Sequence, residues 1–235
     1  MITPLLVIST SFKIQTVAIF DNDKIYVSRK DSKMDHLSLI TILLDEVISS
    51  SGLSKDKIKS VLVDIGPGSF TGIRIGVTAA RTIAQALNIP IAPVSSLESL
   101  SVANGILKDW VVLCLKDGGK QRVYISSWRF EERGPFNLLP FQDITFEQLK
   151  ENVLPKLRFV EQPVLFTSDN GSLIEEICSP FMKDGDIISF IDAPTPQDMI
   201  NAAQIFKVNF VSWEKILPLY IRKSDAEIKR ENKNE

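Results

Sequence analysis

Residues 66–76 read Gly-Pro-Gly-Ser-Phe-Thr-Gly-Ile-Arg-Ile-Gly, the stretch of this chain with the most chemical potential. The run follows a short apolar strand pattern at residues 61–65 and opens a long helical one. A glycine-rich turn from strand to helix can aim backbone N–H groups at an anion, and the helix N-terminus adds partial positive charge. Three known spacings test that chemistry. A P-loop requires Lys and then Ser or Thr after its last glycine, but Ile73-Arg74 follow Gly72. A dinucleotide fingerprint requires glycines at relative positions one, three and six; Gly66 and Gly68 fit, and Thr71 stands sixth. A kinase-type glycine loop lies inside a hairpin rather than ahead of a helix. A purely structural turn fits the residues as well. Gly66 and Gly68 then supply unusual backbone angles, Pro67 stiffens the turn, and Ser69 or Thr71 caps the helix. Spacing alone leaves two readings open: nucleotide contact through Gly66, Pro67, Gly68, Ser69, Thr71 and Gly72, or a turn that holds a shape.

A transfer reaction would need a nucleophile, a base or a metal beside this loop. The sole histidine, His36, follows Asp35, which reads as a helix N-cap, and has no partner pattern around it. Ser9-Thr10-Ser11 could touch a nucleotide but offers no carboxylate for magnesium. Asp64 lies in an apolar strand and is expected to face outward. Asp117 reads as a turn residue, and Lys120, Arg122 and Arg129 as a solvated basic edge. No triad, metal site or paired-carboxylate set emerges, so no catalytic residue and no metal ligand is assigned. Cys114 and Cys178 sit in apolar surroundings without metal-ligand spacing and read as buried free thiols of a reducing compartment.

The elements that would position the loop carry a second signal. Residues 5–9, 16–20 and 24–28 read as strands, with a tight turn at Asp21-Asn22-Asp23. Residues 35–50 place Leu37, Ile40, Leu44, Val47 and Ile48 at helical spacing, and Leu39, Ile42 and Leu43 make further faces apolar. In the helix after the loop, Gly72, Gly76, Ala80 and Ala84 recur every four residues. Such a ridge of small side chains lets another element approach closely, either the chain's own sheet or a partner helix. Arg74, Thr78, Arg81 and Gln85 form a separate polar face. Ser95-x-x-Glu98 matches a capping box. Further on, residues 110–115 and 122–128 read as paired strands across Asp117-Gly118-Gly119. They are followed by a helix near 145–154, a strand near 164–167, a helix near 172–178, a strand at 186–191, a helix from Pro196 to about 208, and an extended segment at 218–222.

With 235 residues, 44% apolar and 24% charged, the chain is long enough for one large domain or two small ones with a buried core. A net charge of −2 gives no reason to expect direct nucleic-acid binding. No apolar run approaches the roughly 20 residues of a membrane helix. Residues 1–8 lack the basic n-region of a signal peptide, so a cytoplasmic location is expected.

The run from Gly66 to Gly76 closely resembles the signature of the TsaB family, also called YeaZ-like. These are the dimerisation subunits of the bacterial complex that makes threonylcarbamoyladenosine in tRNA. The first strand pair, the helix around His36, Val94-Ser95-Ser96-Leu97 and Tyr220-Ile221-Arg222 keep the family order. The likeness covers most of the chain and is weak between about 130 and 215. The resemblance implies an α/β fold of the ASKHA type (actin-like ATPase, ribonuclease H-like), with two related lobes of mixed sheets and the second reduced. It divides the chain into an N-terminal lobe at 1–105 carrying the loop and docking helices, a C-terminal α/β lobe at 106–222, and a disordered charged tail at 223–235.

Where the related catalytic subunits, TsaD, bind metal through His-x-x-x-His, this chain has Ser96-Leu97-Glu98-Ser99-Leu100. Ser9 stands where family first strands end in aspartate, and Asp117-Gly118-Gly119-Lys120 is a divergent form of the family hairpin. The implied role is a non-catalytic scaffold that binds TsaD through the helices at 35–50 and 72–88. The residues expected at that contact are Leu39, Leu43, Ile73, Arg74, Gly76, Val77, Ala80, Arg81 and Ala84. A TsaE-like ATPase is a further implied partner, tRNA is met only through the complex, and a homodimer through the same helices is possible. No cofactor is implied for this chain, with ATP and a metal expected in the partner subunits. The alternative is an ATP-binding phosphotransferase of the same fold, or an inactive peptidase-like homodimer acting without TsaD.

Overall fold

The computed structural model describes residues 2–31 and 36–222. The expected Asp35 cap and the tail at 223–235 lie outside those residues. Two five-stranded sheets organise the chain. In the first, β1 (Leu5–Ser9), β2 (Ile14–Asp21) and β3 (Lys24–Asp31) form an antiparallel meander, while β4 (Ser60–Asp64) and β5 (Ile91–Val94) run parallel to β1. The order is β3-β2-β1-β4-β5. Asn22 takes φ 53° in the β2–β3 turn, as the Asp-Asn-Asp run predicted.

The second sheet contains β6 (Val111–Gly119), β7 (Arg122–Glu131), β8 (Gly134–Thr145), β9 (Val164–Ser168) and β10 (Ile187–Phe190). Starting from β8, its order β8-β7-β6-β9-β10 repeats the first sheet strand for strand. The fold is therefore the two-lobed ASKHA arrangement implied by the resemblance. The second lobe has lost regular helix. Where the first has α1 (His36–Ser51) and α2 (Phe70–Leu87), the second has α4 (Phe146–Gln148), a π-helical stretch at Leu149–Val153, α5 (Leu154–Leu157) and another π-helical stretch at Leu173–Cys178.

Strand β1 shows how the cores divide. Leu6 and Ile8 pack beneath α1 and α2, while Leu5 and Val7 face the opposite core with α3 (Ser96–Val102), α6 (Pro196–Ile205), Trp128 and Leu165. Successive strand residues point to opposite faces, so a strand with layers on both sides reads as continuous apolar sequence.

Two expectations are corrected, and one strand was not read from the sequence. The β6–β7 turn is Lys120-Gln121, at φ 53° and 56°, rather than Asp117-Gly118-Gly119, which stays within β6 at a register shift. Positive φ at both central residues is the hairpin turn whose twist suits the flanking strands. Strand β8 was missed because Pro135 and Pro140 punctuate it; as an edge strand it tolerates proline. Finally, the C-terminal part of residues 106–222 does not stay with the second lobe. Helix α6 packs on α3 and β5, Val211 bridges Ile91, and Ile216 is buried with the α1–α2 core.

Candidate functional site

Strand β4 ends in Asp64, which is 1% exposed and does not face outward as expected. Its Oδ2 accepts hydrogen bonds from the hydroxyls of Ser9 (2.9 Å) and Ser11, and its Oδ1 from the Ser96 hydroxyl (2.7 Å) and the Gly66 N–H (2.8 Å). One carboxylate thus ties together the end of β1, the start of the glycine loop and the first turn of α3. The three serines that looked like nucleotide contacts or histidine replacements are its donors.

Three N–H groups of the loop are satisfied from within. The Gly66 N–H goes to Asp64, the Ser69 N–H to the Ser11 carbonyl (3.0 Å), and the Gly72 N–H to the Ser69 hydroxyl, which caps α2. Gly66 has φ 98°, and a side chain on Gly68 would collide with the Ser11 carbonyl and Lys116. These three amides are engaged inside the protein, and Pro67 has none. Thr71 is exposed and takes no part in the cap.

Behind the loop lies a cleft of about 680 Å³ between the lobes. Lys116, 1% exposed, closes one side. Its Nζ sits 3.1 Å from the Phe12 ring centroid and 2.9 Å from Asp169 Oδ2. Lys116, the one buried cation among the described residues, is therefore already neutralised by a carboxylate. Among the described residues there is no group of three His, Cys, Asp or Glu that could hold a metal ion. Both cysteines are buried free thiols, and burial pushes Cys178 up to about 12 and Cys114 well above its ordinary value, which leaves them inert.

Ser95 and Glu98 form the expected capping box at α3. Burial raises the Glu98 carboxyl, the Ser95 N–H opposes that shift, and Asp64 adds to it. A raised carboxyl holds its proton longer in the folded state than in the unfolded one, so stability falls as pH rises above 4.5 towards the folded value. Glu98→Gln keeps the capping acceptor and should flatten that part of the profile, measured by urea unfolding at stepped pH.

The small-residue ridge is also corrected. Gly72, Gly76, Ala80 and Ala84 are buried against the chain's own β1–β2 corner and sheet, with Thr10 filling the space above both glycines. Leu39, Leu43, Ile73 and Val77 lie in the same core at 0–2% exposure. None of these faces outward, because a helix packed on a sheet needs small residues at its closest approach. Arg74 is exposed, and Arg81 lies 5.6 Å from the Trp213 ring.

What faces outward was not singled out from the sequence. Leu44 of α1 and Ile75, Ala79, Thr82 and Ile83 of α2 line an open apolar groove between the helices. It continues past Ile48, Ile58 and Leu87. The signal was present in the surplus apolar faces of the first helix and in Ile75, Ala79 and Ile83 at i, i+4 and i+8.

The sequence comparisons agree with this architecture. Residues 27–229 match the family model described as TsaD, tRNA N6-adenosine threonylcarbamoyltransferase. The chain belongs to this family, in its TsaB group. A TsaB protein of Bacillus subtilis, named a tRNA threonylcarbamoyladenosine biosynthesis protein, is 27% identical over 197 residues, covering 84% of each chain. A TsaD-type transferase of Lacticaseibacillus casei is 32% identical over 96 residues, covering 39% of this chain and 28% of its own. Among solved structures, a Pseudomonas aeruginosa protein described as similar to the peptidase YeaZ superposes with TM-score 0.77 at 18% identity, over 94% of this chain and all of that one. The fold is thus shared over 94% of this chain. No helix among the described residues is long and apolar enough to cross a membrane.

Proposed function

We propose that the chain is a non-catalytic subunit in tRNA threonylcarbamoyladenosine synthesis, and that it binds a TsaD-type catalytic subunit through the α1–α2 face. The apolar groove between these helices carries the reading, because a contiguous apolar surface rimmed by polar residues marks an interaction site. Proteins of the TsaD type share sequence with part of this chain and fall under the same family model. A partner with its own version of these helices can meet the groove in a pseudo-twofold arrangement. The absence of a metal cluster among the described residues and the neutralised Lys116 support assigning the chemistry to the partner. The transferred group would then arrive from a separate synthase, a TsaE-like ATPase would join the pair, and tRNA would be met through the complex. The protein would act in the cytoplasm.

A reconstituted modification assay with the TsaD-type subunit of the same organism tests this. Activity should require both proteins and be absent from this chain alone. Ala79→Glu, which puts a charge in the middle of the groove, should abolish the stimulation while leaving the melting temperature within a few degrees. Turnover by this chain alone would overturn the reading in favour of a phosphotransferase or peptidase.

A further inference from the structure

The N-terminal end of the groove is closed by a side-chain clamp. Arg74 lines the groove and is exposed. Its guanidinium carbon lies 4.2 Å from the Phe70 ring centroid, and its Nε donates to the Tyr220 hydroxyl at 2.9 Å. Phe70 and Tyr220 stack on each other at 4.7 Å between centroids. Tyr220 is held in turn by the backbone around it: the Leu219 N–H donates to the Ile65 carbonyl at 2.8 Å, and Ile216 is anchored in the core at 2% exposure. A segment 146 residues away in sequence thus fixes the plane and direction of an exposed arginine.

We propose that Phe70 and Tyr220 present Arg74 as the charged anchor of the docking face, and that it receives a carboxylate from a helix of the catalytic partner. This rests on the docking reading above. With Nε bound to Tyr220, and with no acceptor for the two Nη groups among the described residues, the guanidinium offers its outer edge. That edge binds a carboxylate in a planar, bidentate fashion, and lysine cannot reproduce the geometry. Holding the side chain beforehand removes much of the ordering cost that makes exposed ion pairs weak. The neighbouring surface decides between anion sources. Ile40, Leu44, Ile75, Ala79 and Ile83 make the adjoining wall apolar, which suits an amphipathic protein helix and not a phosphate backbone. The matching segment on the partner should carry Asp or Glu beside its apolar stripe.

Calorimetric titration of the full chain with the TsaD-type subunit, at low and at high salt, tests the proposal. Arg74→Ala should weaken binding about tenfold and reduce its salt dependence. Tyr220→Phe, which keeps the stacked ring but removes the acceptor for Nε, should weaken it severalfold. Arg74→Lys should behave like Arg74→Ala. Wild-type affinity in Arg74→Ala, or a lowered melting temperature with affinity unchanged, would overturn the anchor while leaving the docking reading intact. Unchanged subunit affinity with weakened tRNA binding by the assembled complex would also overturn it, in favour of a phosphate contact. No binding by the wild-type chain would overturn the docking reading and the anchor together.

Discussion

Gly72→Ala is expected to lower stability by about 3 kcal/mol or more, with a fall in melting temperature of roughly 6–12 °C. A Cβ at position 72 would fall inside van der Waals distance of the Thr10 carbonyl oxygen, which is backbone and cannot rotate away. Thr10 is fixed from its other end as well, since its hydroxyl donates to the Gly72 carbonyl at 2.6 Å. Gly76→Ala differs in an informative way. There the added Cβ would meet the Thr10 side chain, so Thr10→Ala should restore part of the loss at position 76 and none at position 72. Thermal unfolding of the three single variants and the two double mutants measures this. Equal rescue at both positions would show that the two glycines do not meet different parts of Thr10.

Asp64→Ala should cost about 3–5 kcal/mol, the range for removing one partner of a buried charged network. Three hydroxyls and one N–H lose their acceptor together, at a position 1% exposed. Asp64→Asn keeps one carbonyl oxygen and should cost about half as much, because its NH₂ faces hydroxyls that can turn to accept. The loss should be visible in the loop as well as in global stability. Hydrogen exchange at Gly66 should quicken relative to an amide of similar burial in the second sheet, such as Phe166. Protection at Gly66 equal to the wild-type value would show that the network does not fasten the loop.

Much of the architecture could be read from residue types alone. The glycine loop, the Ser95-x-x-Glu98 box and the Asp21-Asn22-Asp23 turn are local devices, and local sequence specifies them. The two-lobed fold followed from the resemblance carried by Gly66 to Gly76. What failed was direction. A ridge of Gly72, Gly76, Ala80 and Ala84 says that something comes close, and it cannot say whether that is Thr10 of the same chain or a partner helix. The same ambiguity hid Asp64, whose hydroxyl donors lie 32 to 55 residues away. Lys116 with Asp169, and Arg74 with Tyr220, are likewise pairs joined only by tertiary structure. The irregular helices of the second lobe were placed within a few residues, but their π-helical turns leave no mark in apolar spacing.

Association with the catalytic subunit is assigned to one surface, the groove between α1 and α2. Light scattering of the chain mixed with the TsaD-type subunit of the same organism at micromolar concentration tests it most directly. The predicted result is a heterodimer mass for the wild-type chain and two separate masses for a folded Ala79→Glu variant. A heterodimer that forms equally well with Ala79→Glu, or no heterodimer with the wild-type chain, would contradict it.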